Sequence, residues 1–152
     1  DATPLPSFID AFPQFQRIGT FERGQFVVSP EWRGKKGVYV WAHRERGAVV
    51  PRRVGIACGT SGISGRHALH NNWLSGRFKP DDLREQAVRR FTLEGLGLSA
   101  ELWAVEISDR ELASAFEDGF RDLYASSLTV DLSVKTGWIK QRMNEWRCSL
   151  LS

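Results

Sequence analysis

The sequence predicts a small α+β domain with a mainly antiparallel, three-stranded sheet flanked by helices. Two β-branched and aromatic runs, Gly37–Ala42 and Arg52–Ala57, enclose a charged segment with Gly47 and Pro51, which indicates an antiparallel hairpin with a longer loop. A third alternating run, at 101–107, predicts the remaining strand. Helical spacing of apolar residues between and after these strands favours a sheet covered by helices.

The size and composition of the chain fit a single domain over 1–152. A chain of 152 residues with 41% hydrophobic residues, including six Trp and nine Phe, can bury a substantial core. No apolar run approaches the ~20 residues that span a bilayer, so we expect no membrane partner.

The N-terminal extension, 1–36, is predicted to add small elements to this core. Residues 7–15 carry Phe at roughly helical spacing, which predicts a short helix interrupted by Pro13. A short strand is predicted at 25–29, and 31–36 has the composition of a polar turn with a basic end.

Four helices are predicted after the hairpin. A glycine- and serine-rich loop at 58–65 leads into a helix over 66–75, and the next runs from Pro80 to about Leu93. Ser108 or Asp109 is expected to cap the third, and the fourth lies at about 135–148. The apolar stripe predicted for the third helix consists of Leu112, Ala113, Phe116, Phe120 and Leu123.

Charge is distributed unevenly along the chain. Residues 31–92 contain 13 Lys or Arg against 5 Asp or Glu, a net charge of +8, whereas 93–134 contain 2 against 9, a net charge of −7. A basic middle segment suits binding to a polyanion, although an unevenly charged solvated surface explains it as well. The candidate nucleic-acid-binding residues are Lys35, Lys36, Arg53, Asn72, Arg77 and Lys79.

The cysteines and histidines exclude a zinc site of the usual spacing. Cys58 and Cys148 form no CxxC pair, and the three histidines, at 43, 67 and 70, have no convincing ligand pattern. One disulfide between the two cysteines is an open alternative, but two thiols in a reducing compartment are favoured, so we expect a cytoplasmic or nucleoid-associated protein.

Four short motifs follow one another in a specific order. Gly37-Val38-Tyr39 lies on the first hairpin strand and Val54-Gly55 on the second, then Arg66 and His70 on the next helix, and Glu117 on a helix after the third strand. In this order and spacing the segment over about 37–124 resembles the GIY-YIG nuclease family.

The resemblance implies a metal-dependent endonuclease that hydrolyses phosphodiester bonds, in DNA rather than RNA, with Mg²⁺ or Mn²⁺ as cofactor. Tyr39 would orient the attacking water or act as its base, and Arg66 would bind the scissile phosphate. His70 would assist proton transfer or contact phosphate, and Glu117 would be the metal ligand. A domain this small would gain specificity from an added DNA-reading element or as a homodimer.

The chemistry of these residues agrees with those roles. The guanidinium of Arg66 can form two charge-assisted hydrogen bonds to a phosphate. His70 is four residues further along and shares a helix face with Arg66. One carboxylate, that of Glu117, can hold a hard cation such as Mg²⁺. Each residue alone has an ordinary structural explanation, and only the ordered set favours a catalytic site.

The sequence also departs from the family pattern. Arg53 occupies the place of the family's second Tyr, and Ile56 stands where Lys or Gln is common. The loop at 58–65 is longer and richer in glycine, and the Asn that usually follows the Glu is not evident. Two alternatives therefore stay open, namely a non-catalytic nucleic-acid-binding module on the same fold and a protein-interaction domain.

Overall fold

The computed structural model describes residues 6–77 and 83–131, together with residue 145. The elements in chain order are α1 (Phe8–Ala11), β1 (Gln16–Glu22), β2 (Gln25–Val28), β3 (Gly37–Glu45), β4 (Ala48–Ala57), α2 (Gly62–Leu74), α3 (Leu83–Leu96), β5 (Ser99–Glu106) and α4 (Arg110–Leu123). The helix predicted at about 135–148 lies outside the described residues, apart from Glu145, which is helical. Within the described residues no helix is both long and apolar enough to cross a membrane.

The α+β class is confirmed, but the sheet has five strands rather than three. Its order is β2-β1-β5-β3-β4, and every neighbouring pair is antiparallel. The strand at Gln16–Glu22 escaped prediction because a register shift between Arg17 and Gly19 breaks the alternating pattern. Ile18 and Phe21, three residues apart, consequently both enter the same core cluster.

The hairpin of β3 and β4 closes in a tight turn, so the longer loop expected between them is wrong. Arg46 and Gly47 have positive φ values of 53° and 81°, which is typical of a two-residue type I′ turn. Pro51 is tolerated because β4 is an edge strand and the register shifts beside it. Glycine and proline here belong to a turn and a bulge, and the strands continue to both sides of them.

Helix α2 begins four residues earlier than its sequence predicts. Glycine and serine are weak helix formers, which made 58–65 appear to be a loop. Contacts to a neighbouring segment stabilise the early start, because the Ile63 N–H donates to the Lys35 carbonyl at 2.9 Å and the Ile63 side chain is fully buried.

Helix α4 begins as predicted. The Asp109 side chain accepts hydrogen bonds from the backbone N–H groups of Glu111 and Leu112 at 2.9 and 3.2 Å. The apolar stripe is narrower than expected, however, because Leu112 and Leu123 are 60% and 69% exposed. Ala113 and Phe120 are buried, and Phe116 is partly buried.

Successive residues of β3 point to opposite sides of the sheet and enter two separate cores. Tyr39 and Trp41 face α2 and α3, and we call this side the α2 face. Val38 and Val40 face α1 and α4, and we call this side the α4 face. Candidate residues on the strands and on the helices that cover them can therefore be assigned to a face of the sheet.

Candidate active site

The two halves of the hairpin motif meet directly across the sheet. Tyr39 on β3 is paired with Gly55 on β4. A methyl group at Gly55 would lie 2.5 Å from the Tyr39 hydroxyl oxygen, so only glycine leaves room for the phenol ring. Tyr39 is 2% exposed, and its hydroxyl group must become accessible before it can meet a water molecule that attacks phosphate.

His67, which the sequence analysis did not select, lies at the centre of the α2 face. It is fully buried, its Nε2 accepts from the Trp41 indole N–H at 2.8 Å, and its ring centroid is 4.7 Å from that of Tyr39. Because Nε2 accepts, the ring proton is on Nδ1, which donates to the Ile63 carbonyl at 2.8 Å. Burial lowers the pKa of His67 to about 3, so the ring is neutral at physiological pH.

His70 lies one turn beyond Arg66, as the spacing predicted, but inside the core. It is 3% exposed, and its ring centroid is 5.0 Å from that of Trp41 and 5.2 Å from that of Trp73. The pKa of His70 is lowered to about 2, mainly by burial and to a lesser extent by the charge of Arg53. In this position His70 is a neutral core residue, which disfavours the direct phosphate contact expected of it.

Arg66 is the exposed cation of this region. It lies on α2 and borders a cleft of about 210 Å³ at the junction of β4 and α2. Its positive charge contributes to the low pKa values of both His67 and His70. The other residues of the cleft are mostly small and leave the backbone accessible; they are Ala57, Gly59, Ser61, Gly62, Gly65 and Leu69.

Arg53 lies on the same face, at the place of the family's second Tyr. Its guanidinium carbon is 4.6 Å from the centre of the Trp41 ring, a cation–π contact. The Nη1 atom is buried and has no hydrogen-bond partner in the described part of the chain. Sequence reasoning selected Arg53 for its charge, and its packing on Trp41 became visible only in the structure.

The remaining basic candidates are spread around α2. The Lys35 Nζ lies 5.1 Å from the centre of the Trp32 ring, and the Lys36 carbonyl accepts from the Ile107 N–H at 2.9 Å. Lys79 lies outside the described residues. A second cleft, of about 120 Å³, lies at the end of α2 and is bordered by Asn72 and Arg77, with Gly24, Gln25, Asn71 and Ser75.

Glu117 lies apart from these residues, on α4. Its Oε2 is 3.3 Å from Arg121 Nη2, and burial raises the pKa of its carboxyl group, opposed by the charge of Arg121. Asp131, which is 2% exposed, lies 3.5 Å from Arg121 Nε and accepts from the Val54 N–H at 3.3 Å, so it connects Arg121 to the edge strand β4.

The charges that act on Glu117 are those of Arg121, Asp131 and Asp118, whereas Arg53 and Arg66 act on the two histidines. The structure therefore brings Tyr39 and the two arginines to one face and leaves the carboxylate in a separate environment.

A magnesium site can take as little as one carboxylate from the protein. Among the residues that the structure describes, no group of three or more His, Cys, Asp or Glu is arranged to hold a metal ion. Mg²⁺ keeps several water ligands and commonly takes one or two carboxylates plus phosphate oxygens. Glu117 thus fits as a single ligand, provided that it leaves Arg121.

Comparisons with known proteins identify no relative. Searches of protein-family models, curated proteins and solved structures found no match to this chain.

Proposed function

We propose that this chain is a metal-dependent endonuclease that hydrolyses phosphodiester bonds in DNA, on a GIY-YIG-like scaffold. The observation that carries the proposal is the register of the hairpin, in which Tyr39 lies directly opposite Gly55 and the following helix places Arg66 beside a glycine-lined cleft. The order of elements over 37–123 supports it, since a hairpin, two helices, a strand and a helix follow one another as the motif order requires.

The proposed chemistry assigns one task to each group. Arg66 binds the scissile phosphate and stabilises the negative charge that builds up on its oxygens. Tyr39 orients the attacking water once the cleft opens to the hydroxyl group. Glu117 holds a divalent cation, Mg²⁺ or Mn²⁺, which supplies Lewis-acid stabilisation of the phosphate. This arrangement requires the substrate to reach the edge strand β4, which α2 and α4 flank on opposite faces.

A second candidate function is a nucleic-acid-binding module that does not cut. The pairing of Glu117 with Arg121, away from Arg66, favours it, as does Arg53 at the place of a family tyrosine. Both candidates use Arg66 to bind the phosphate backbone, and they differ in whether Glu117 contributes to the chemistry.

A nicking assay on supercoiled plasmid, with Mg²⁺, Mn²⁺ or a chelator, separates the two. We expect metal-dependent nicking by the wild type, a loss of at least two orders of magnitude in Arg66→Ala, and no turnover in Glu117→Gln. Glu111→Gln is a matched control for Glu117, since it removes an exposed carboxylate from the same helix. Arg110→Ala is the control for Arg66, since it removes an exposed arginine from α4.

Other outcomes would change the proposal in defined ways. Full metal-dependent cutting by Glu117→Gln would place the cation elsewhere, and full cutting by Arg66→Ala would remove the central claim. No cutting by the wild type, with a gel shift that weakens as salt rises, would establish the binding module. No shift at low salt would leave the protein-interaction domain.

A further inference from the structure

Arg53 is held in place by an aromatic ring, and none of the described residues forms an ion pair with it. Its guanidinium carbon lies 4.6 Å from the centre of the Trp41 ring, and its Nη1 atom is buried with no hydrogen-bond partner among the described residues. An unpaired guanidinium N–H below the surface is unfavourable, because the donor has lost water without gaining an acceptor. The residue as a whole remains partly exposed.

The ring that supports Arg53 has a fixed orientation. Trp41 is fully buried, and its indole N–H donates to His67 Nε2 at 2.8 Å. His67 is fixed in turn, because its Nδ1–H donates to the Ile63 carbonyl at 2.8 Å. A continuous series of contacts therefore runs from the backbone of α2 through His67 and Trp41 to Arg53 on β4.

A second unpaired polar atom lies beside the same ring. His70 Nε2 is buried without a hydrogen-bond partner in the described residues, and the His70 ring centroid is 5.0 Å from that of Trp41. The His70 residue as a whole is only 3% exposed. Two nitrogen atoms that lack acceptors or donors thus border one indole ring, close to the exposed Arg66.

We infer that Arg53 forms a second phosphate subsite, which binds a phosphodiester of the nucleic-acid strand next to the one that Arg66 binds, and that Trp41 and His67 position it. This inference rests on the proposed function, because it assumes a nucleic-acid ligand at the α2 face. An arginine suits the role because its planar fork can stack on Trp41 and still offer N–H donors to a phosphate oxygen. Arg53 therefore takes the place of the family's tyrosine with a binding task.

Equilibrium binding of a fluorescently labelled DNA duplex to the full chain, in chelator and over a series of salt concentrations, tests this inference. Chelator prevents cutting, so only binding is measured. Arg53→Gln should weaken binding about tenfold and reduce the slope of log K against log salt by about one, the loss of one phosphate contact. Arg53→Lys should restore the slope but not the full affinity, because a lysine keeps the charge and loses the stacked fork.

Arg44→Gln is the matched control. Arg44 lies on the same sheet, but its Nε donates to Glu101 Oε2 at 2.6 Å and it borders a different cleft. This variant should keep the slope and affinity of the wild type.

The positioning role needs a separate test. His67→Leu removes the acceptor of the Trp41 N–H, and we expect about threefold weaker binding that is not additive with Arg53→Gln. Trp41→Phe repeats the test with a smaller aromatic ring kept at this position and the indole N–H removed. Thermal unfolding shows which variants remain folded, and additive losses in the folded double variants would overturn the positioning role.

The outcomes separate this inference from the proposed function. Wild-type slope and affinity in Arg53→Gln, together with weaker binding by Arg66→Ala, would overturn the second subsite and leave the proposed function standing. Wild-type protein that fails to bind duplex DNA at low salt would overturn both.

Discussion

The two faces of the sheet bury different kinds of side chain. The α4 face packs phenylalanines edge to face, as in the pair of Phe8 and Phe120 with ring centroids 5.7 Å apart. The α2 face instead buries two histidines beside Tyr39 and Trp41. Apolar burial stabilises a fold without a specific partner group, whereas buried polar groups stabilise it only when they are hydrogen-bonded. We conclude that both faces contribute apolar burial to stability and that the α2 face carries most of the polar chemistry.

The largest change in stability should come from a substitution on the α4 face. Phe120 is 1% exposed and contacts Phe8, Phe12, Phe15 and Tyr124. Phe120→Ala should lower the free energy of unfolding by about 3–5 kcal/mol, because it removes a large buried ring and leaves a cavity. Urea denaturation measures this loss. A loss below about 1 kcal/mol would show that Phe120 does not pack in the α4 face as described.

The second largest change in stability should come from lowering the pH, which acts on the two histidines of the α2 face. The folded pKa values of His67 and His70 are about 3 and about 2, against about 6.5 in the unfolded chain. Below pH 6.5 the unfolded chain therefore binds more protons than the folded protein, and stability falls as pH falls from 6.5 towards those folded values. Between pH 7 and pH 5 the titration of each histidine should lower the free energy of unfolding by about 2 kcal/mol.

Comparing the wild type with His70→Leu isolates this effect from other titrations. The variant should lose about 2 kcal/mol less than the wild type between pH 7 and pH 5, measured by urea denaturation at both pH values. Identical pH dependence in the two proteins would mean that His70 is protonated as readily in the folded protein as in the unfolded chain. Burial makes that protonation harder, and the positive charges of Arg53 and Arg66 add to the effect.

Much of the fold could be predicted because it depends on local patterns. The hairpin strands, the strand at 99–106 and the cap at Asp109 follow from alternation and capping preferences, and the structure has all three. The strand at Gln16–Glu22 could not be predicted, because a bulge after Arg17 puts Ile18 and Phe21 on one face. The turn at Arg46 escaped for a related reason, since arginine is an unusual residue at positive φ.

The site was harder to predict than the fold. Spacing placed Arg66 and His70 on one helix, but it could not show that one is exposed and the other buried. His67 escaped because its role depends on Trp41, 26 residues away in the sequence. A signal was present nonetheless, since a histidine four residues after Ile63 follows the apolar side of α2.

A smaller effect is expected at Asn71, which secures α2 to the edge strand β2. Its Nδ2–H donates to the Phe26 carbonyl at 2.9 Å, and its Oδ1 accepts from the Phe26 N–H at 2.7 Å. Asn71→Ala should lower the free energy of unfolding by about 1–2 kcal/mol, because it leaves two strand groups unpaired. Asn72→Ala is the matched control, since Asn72 is exposed and should affect DNA binding without affecting stability. Weaker DNA binding with unchanged stability in Asn71→Ala, and lower stability with unchanged binding in Asn72→Ala, would show that Asn71 faces the ligand.

The smallest effect should come from Leu112, which the sequence placed in the apolar stripe of α4. The structure leaves it 60% exposed, whereas Ala113 beside it is fully buried. Leu112→Ser should change the free energy of unfolding by no more than about 0.5 kcal/mol, as for most surface substitutions, and urea denaturation measures this. Ala113→Ser, the matched control, buries a hydroxyl group and should cost more. A loss above about 2 kcal/mol in Leu112→Ser would mean that another surface covers this leucine in solution, and the α4 face would then extend beyond the apolar core described above.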